Sequence, residues 1–133
     1  MRILVVDDMI ENRMLLNGIL SSLGQCEIAV NGVEAVELVE AALAEERPYN
    51  LILLDIMMPK MDGLSALQEM RKKEQEYGLV GVKESVIIMV TADNSPDAVT
   101  QAFFKGYCTD FLAKPITRQA MLDKLKEYRL IED

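Results

Sequence analysis

Five polar side chains in this 133-residue sequence each sit directly behind a short apolar run. Asp7 and Asp8 follow Ile3-Leu4-Val5-Val6, and Asp55 follows Leu51-Ile52-Leu53-Leu54. Thr91 follows Val86-Ile87-Ile88-Met89-Val90, and Lys114, with Pro115 behind it, follows Asp110-Phe111-Leu112-Ala113. Three carboxylates drawn within several ångströms of one another repel by a few kcal/mol per close pair, and one ammonium offsets only part of that. A small hard cation offsets more. Mg²⁺ takes one or two carboxylates, keeps several waters and favours a phosphate oxygen. A threonine hydroxyl and a lysine ammonium both suit phosphoryl oxygens. The set therefore reads as a site for Mg²⁺ (or Mn²⁺) with room for a phosphoryl group. Taken singly the residues say less: Asp-Asp behind a strand is common loop chemistry, Lys-Pro is a turn, and a threonine at a strand end is a cap or a packing residue. The joint occurrence at four strand ends carries the reading.

Such a cluster exists only if the runs are neighbouring strands pointing the same way. The runs 3–6, 51–54 and 86–90 are apolar on both sides, as strands of a parallel sheet covered on two faces are. Cys26 to Val30 and Asp110 to Ala113 are weaker and suit edge strands. Helical patterns lie between them. Leu16, Ile19, Leu20 and Leu23 share one face with Gly24 as a stop, and Val36, Val39 and Leu43 form a second face ended by Pro48. A third helix runs from about Leu64 to Glu76. A fourth starts at Ser95 with Pro96 in its first turn and ends near Gly106. A fifth follows Thr117, with Met121, Leu122, Leu125 and Tyr128 in register. Right-handed crossovers turn this β-α alternation into an α/β, doubly wound five-stranded parallel sheet flanked by five helices. Ligands of such sheets bind beyond the carboxyl ends of the strands, where the five polar side chains stand.

Composition narrows the function classes. Lys and Arg number 14 against 22 Asp and Glu, a net charge of −8, which argues against phosphate-backbone binding and so against nucleic acid as partner. The absence of histidine removes His triads, His-ligated metals and any phosphohistidine on this chain. Two cysteines 82 positions apart form no CxxC pair, which argues against zinc and dithiol redox sites, and reduced thiols are expected. No apolar run reaches the length of a membrane span, and the expectation is a soluble cytoplasmic protein of one domain, residues 1–133.

The segments Ile3-Leu4-Val5-Val6-Asp7-Asp8, Leu53-Leu54-Asp55-Ile56-Met57-Met58-Pro59-Lys60-Met61-Asp62-Gly63, Val90-Thr91-Ala92 and Phe111-Leu112-Ala113-Lys114-Pro115 resemble, in order and spacing, a response-regulator receiver domain of the CheY-like, single-domain type. The resemblance covers essentially the whole chain. It implies the strand order 2-1-3-4-5. It implies a phosphoacceptor switch of a two-component or phosphorelay system, a signalling domain more than a turnover enzyme. Asp55 would take the phosphoryl group from a histidine kinase or histidine phosphotransfer protein. Asp8, Asp55 and the backbone carbonyl of Met57 would ligate Mg²⁺, with Asp7 acting directly or through water. Lys114 would pair with the carboxylate and then with the phosphoryl oxygen, and Thr91 would turn inward to the same group. The Lys114-Pro115 bond is cis in the family. Phe111 takes the place of a switch aromatic that is often tyrosine, so a phenolic hydrogen bond is lost while burial of the ring is kept; a plain core role is the other reading. Output, with no domain expected behind the last helix, would be a change in affinity for a downstream protein at the face built from the stretch after Ser95, the fifth strand and the last helix. A monomer or a weak phosphorylation-linked dimer is expected.

Other residues carry smaller expectations. Asp62 reads as a helix N-cap, and Gly24, Gly32 and Gly106 as turn residues. Met57 reads as an apolar screen over the acyl phosphate, and one ring of Phe103-Phe104 as part of a partner surface or as an ordinary half-buried ring. Arg71 to Glu76 reads as solvated helix, and Gly78 to Gly81 as an extension. Cys26 and Cys108 fall on opposite sheet edges, roughly 19 Å apart and beyond disulfide reach. Three alternatives stay open: a receiver cut from a longer regulator, a flavodoxin-like FMN binder, and a haloacid-dehalogenase-like phosphatase. The second lacks a hydroxyl- and glycine-rich loop after the first strand, and the third lacks the Asp-x-Asp pattern there.

Overall fold

The computed structural model describes residues 1–56, 58, 60–79, 84–91 and 108–132. Its strands are β1 (Arg2–Val6), β2 (Gln25–Ala29), β3 (Leu51–Asp55), β4 (Val86–Thr91) and β5 (Asp110–Ala113). The helices are α1 (Ile10–Leu20), α2 (Gly32–Ala44), α3 (Gly63–Glu76) and α4 (Arg118–Glu127). All strand pairs are parallel and the order is β2-β1-β3-β4-β5. The doubly wound sheet expected from the apolar runs is therefore present. Four of the five expected helices lie among the described residues. The stretch from Ser95 to Gly106, with Phe103 and Phe104, falls outside them, as do Met57 and Gly81.

The sheet divides the core in two. Leu4, Val6, Ile52, Leu54, Ile87 and Met89 face α2 and α3, against Val39, Leu43, Leu67 and Met70. Ile3, Val5, Leu51, Leu53, Ile88 and Val90 face α1 and α4, against Leu16, Leu20, Met121 and Leu125. Alternate residues of β1, β3 and β4 thus enter opposite layers, which is why, after Arg2 opens β1, these strands stay apolar until their carboxyl ends. The edge strands are weaker because each has one covered flank: β2 shows exposed Ile28 and β5 an exposed Ala113.

Three helices start on side-chain caps. Asn31 accepts from the Glu34 N–H at 2.9 Å, Asp62 from Ser65 at 2.8 Å and Thr117 from Ala120 at 3.0 Å. Asp62 is thus the N-cap its position suggested. Gly24 and Gly32 act through close approach and not through a positive φ. A Cβ on Gly24 would overlap the Met1 carbonyl, and one on Gly32 the Met61 carbonyl. α1 ends at Leu20, four residues before Gly24, and β2 begins one residue earlier than its apolar run. Among the described residues the left-handed glycine is Gly78, φ 79°, just past α3.

One expectation is overturned. Arg71 to Glu76 is not a solvated face throughout, since Arg71 is 7% exposed and Glu74 2%. Arg71 Nη1 donates to Glu74 Oε1 at 2.7 Å and to the Ser85 carbonyl at 3.0 Å, and Nη2 donates to Thr109 Oγ1 at 3.2 Å. The Ser85 N–H donates to Glu74 Oε2 at 2.7 Å, and the Ser85 hydroxyl to the Tyr49 carbonyl at 2.5 Å. A run of charges spaced i, i+3 cannot reveal that two of them turn inward to close the amino ends of β4 and β5.

Both edge strands are held by a tyrosine, a carboxylate and a cation. On β2, Glu27 accepts from the Tyr49 hydroxyl at 2.5 Å and from Arg2 Nη2 at 2.9 Å. These bonds hold the Glu27 carboxyl below its ordinary range. On β5, Asp110 accepts from the Tyr128 hydroxyl at 2.6 Å and pairs with Lys124 at 2.8 Å. Burial pushes the Asp110 carboxyl up, but its bonds from Lys124, Tyr128 and the Phe111 N–H outweigh that and keep it low. Burial and the carboxylate partner raise both phenols above the ordinary tyrosine value. Cys26 and Cys108 are both free thiols, and burial raises Cys108 to about 11.

Candidate functional site

The carboxyl ends of β1, β3, β4 and β5 meet at one rim. Asp55 is the last residue of β3, 5% exposed, and register places it beside Val90 of β4. Its backbone is tightly seated: the Gly63 N–H donates to the Ile56 carbonyl at 2.8 Å, and a Cβ on Gly63 would overlap the Asp55 carbonyl oxygen. The glycine thus lets the loop return against the strand and fixes where the Asp55 side chain begins. Asp7 continues β1, donating its N–H to the Ala29 carbonyl at 3.2 Å, and is 1% exposed. Asp8 is exposed. One carboxylate oxygen from each of Asp7, Asp8 and Asp55 lies within 4.8 Å of the others. At that separation two buried carboxylates repel by about 3 kcal/mol at a moderate effective dielectric.

Lys114 enters from the far edge. Its Nζ stands 3.3 Å from Asp7 Oδ2 and 3.3 Å from Asp55 Oδ2, bridging the two buried carboxylates. Its N–H donates to the Thr91 carbonyl at 2.8 Å, which ties the lysine to the end of β4, and the Lys114–Pro115 peptide is cis. Both Nζ distances are long for a charge-assisted bond, as expected of one ammonium shared between two acceptors. Thr91 is fully buried at the end of β4. Phe111 is half-buried and packs against the α2–α3 layer.

The structure thus brings together Asp7, Asp8, Asp55 and Lys114, with Thr91 bonded to Lys114 through the backbone; Met57 lies outside the described residues. Two side chains escaped notice in the sequence. Asn12 Nδ2 lies 3.4 Å from Asp7 Oδ1, and Arg13 Nη1 donates to the Asp7 carbonyl at 3.0 Å. Their signal was polar residues five and six positions past Asp7, on the first turns of a helix that must lie against strand 1. A cavity of about 280 Å³ opens beside the acids, with Asp7, Asn12 and Lys114 at its polar side and Leu15, Val90 and Ile116 at its apolar side.

Chemically the rim is an oxygen-rich, under-neutralised hollow. Among the described residues three carboxylates cluster beside one ammonium, two of the acids are buried, and the third is open to solvent. That donor set suits a hard divalent cation with room for water and an anionic oxygen, and it offers no soft ligand.

The response regulator receiver domain model matches residues 3–126, and the chain belongs to that family. It is a receiver domain of two-component and phosphorelay signalling, a class of domain that binds Mg²⁺ at a cluster of aspartates. It is 35% identical over 127 residues to the sensory/regulatory protein RpfC of Xanthomonas campestris pv. campestris, covering 96% of this chain but 16% of RpfC. It is 32% identical over 122 residues to the probable chemotaxis protein CheY of Rhizobium etli, covering 90% of this chain and 85% of that protein. Among solved structures, the receiver domain of the histidine kinase CKI1 from Arabidopsis thaliana, complexed with Mg²⁺ and BeF₃⁻, superposes with a TM-score of 0.81. The two are 29% identical over 95% of this chain and 89% of that one. The chain therefore spans a small part of one relative and most of another. No helix among the described residues is long and apolar enough to cross a membrane.

Proposed function

We propose that this chain accepts a phosphoryl group on Asp55 from a phosphohistidine of a histidine kinase or phosphotransfer protein, in a step that needs Mg²⁺ or Mn²⁺. The observation that carries the reading is the placement of Lys114 Nζ at 3.3 Å from both Asp7 and Asp55 within a trio of clustered carboxylates. A stability-driven design would pair these acids, whereas this arrangement leaves negative charge for an incoming cation.

Asp8 and Asp55, with the Met57 carbonyl and with Asp7 directly or through water, would hold the cation; when bound, it draws charge off the transferring oxygens. The chain's own residues do the rest. Asp55 supplies the nucleophilic oxygen, held in place by the close return of Gly63. That oxygen bonds to phosphorus as the N–P bond breaks and its electron pair leaves with the donor imidazole, giving an acyl phosphate. Lys114 sits where it can exchange its contact with Asp55 for one with a phosphoryl oxygen. The work is positioning and electrostatics, as phosphoryl transfer requires.

Thr91, buried at the end of β4, presents the hydroxyl for the same group, and Phe111 lies one strand away on β5. Binding of the phosphoryl group favours the arrangement with both turned inward, a population shift that alters affinity for a downstream protein at β5, α4 and the stretch after Ser95. Phe111 carries no hydroxyl, so this switch works by burial of the ring. The chain acts as a monomer or a weak dimer linked to phosphorylation. The test is incubation with acetyl phosphate and Mg²⁺, read by intact mass. One added phosphoryl group is expected in the wild type and none in Asp55→Asn; the same gain in both would place the acceptor elsewhere.

A further inference from the structure

We infer that Arg13 is a positioning residue for cation capture: its guanidinium fixes the Asp7–Asp8 peptide and so aims the exposed Asp8 carboxylate over the hollow. The inference rests on the phosphoacceptor reading above and adds a residue to it.

The two adjacent acids live in opposite environments, Asp7 buried and Asp8 exposed. Asp7 is tied from every side. Its Oδ1 accepts from the Met9 N–H at 2.9 Å and faces Asn12 Nδ2 at 3.4 Å, its Oδ2 faces Lys114, and its N–H bonds Ala29. Asp8 differs: among the described residues its carboxylate has no hydrogen-bond or ion-pair partner. Its direction is therefore set by its own backbone. The peptide joining the two acids presents the Asp7 carbonyl on one side and the Asp8 N–H on the other, so anchoring the carbonyl sets the plane from which the Asp8 side chain departs. Arg13 Nη1 donates to that carbonyl at 3.0 Å from the first turns of α1. The β1 ladder ends at Val6 in both its β2 and its β3 register, so Asp7 lies just past it. Arg13 supplies the donor to its carbonyl.

Groups that orient metal ligands without touching the metal are worth about 10- to 100-fold in affinity when removed. Arg13 also carries a positive charge close to three carboxylates, and this separates two explanations by sign. If only its charge mattered, removing it would tighten Mg²⁺ binding. If it aims Asp8, removing it loosens binding although the hollow becomes more negative.

The experiment is calorimetric titration of Mg²⁺ into wild type, Arg13→Met and Arg13→Lys, with melting in EDTA as the control for folding and the acetyl phosphate reaction run over a range of Mg²⁺. Arg13→Met is expected to weaken Mg²⁺ binding about tenfold, and Arg13→Lys, which keeps the charge and one donor, by about threefold. In the phosphorylation reaction the loss should fall on the half-saturating Mg²⁺ concentration and not on the maximal rate. Unchanged or tighter Mg²⁺ binding in Arg13→Met overturns the inference, as does an Arg13→Lys variant weaker than Arg13→Met. Should Arg13→Met melt early in EDTA, the Arg13→Lys titration decides alone, and an affinity equal to wild type then overturns it. Failure of the wild type to gain a phosphoryl group while Arg13→Met still loses Mg²⁺ would instead sink the phosphoacceptor reading and leave this one standing.

Discussion

The two ends of the sheet treat charge in opposite ways. At the amino ends of β4 and β5, Arg71 and Glu74 are buried, and each Glu74 oxygen and both Arg71 terminal nitrogens meet a partner at 3.2 Å or less. At the carboxyl ends, three carboxylates cluster, two of them, Asp7 and Asp55, share the Lys114 ammonium at 3.3 Å, and Asp8 stays open to water. The first cluster is buried and tied to backbone and side chains, with Glu84 also 3.6 Å from Arg71 at its rim, so it holds elements together. The second is open and acidic, so a bound cation would relieve repulsion that Lys114 offsets in part. The difference teaches where to look for function: an ion pair buried among backbone partners is architecture, and like charges gathered at an open rim are a candidate site.

Breaking the contrast should produce effects of opposite sign. The largest is expected at the closed end. Arg71→Met leaves Glu74 buried without its cation, and urea unfolding should show a loss of about 3–5 kcal/mol. A loss below about 1 kcal/mol would mean that the pair is solvated after all. At the open end, Asp8→Asn removes one of the crowded charges, and in EDTA it should raise stability by about 0.5–1 kcal/mol. Added Mg²⁺ should raise the melting temperature of the wild type and not of this variant. Equal stabilisation by Mg²⁺ in both would remove Asp8 from the cation site.

The smallest effects belong to the edge clamps, and they sharpen the contrast through pH. Glu27 and Asp110 are held below the ordinary carboxylate range, so their contribution is present at neutral pH and is lost as pH falls below about 4. Tyr49 and Tyr128 are raised, so theirs is full below the ordinary phenol value and fades as pH rises past about 10. Tyr49→Phe should cost about 1 kcal/mol at pH 7 and flatten the alkaline limb of the stability curve. An alkaline limb identical to wild type would show that the Glu27–Tyr49 bond contributes nothing.

The sheet and the rim were legible in the sequence for one reason. In a doubly wound fold the strands are apolar on both sides, so the first polar residue after each run marks the carboxyl end, and all such ends meet. Asp7, Asp8, Asp55, Thr91 and Lys114 were found that way, and so was the Asp62 cap. Arg71 and Glu74 were not, because a charged pair three residues apart on a helix has the same pattern whether it faces water or turns under the sheet. Asn12 and Arg13 were missed because their partners are a carboxylate edge and a backbone carbonyl, and backbone partners leave no trace in a side-chain pattern. Gly24 and Gly32 read as turns because close approach between backbones depends on tertiary contact with Met1 and Met61.

The central claim is that Asp55, and neither of its two acidic neighbours, becomes the acyl phosphate. Borohydride reduces an aspartyl phosphate to homoserine, which peptide mass spectrometry can assign to a position. After treatment with acetyl phosphate and Mg²⁺, the predicted product carries homoserine in place of Asp55 alone; homoserine in place of Asp7 or Asp8, or a phosphoryl group that survives borohydride, would contradict it.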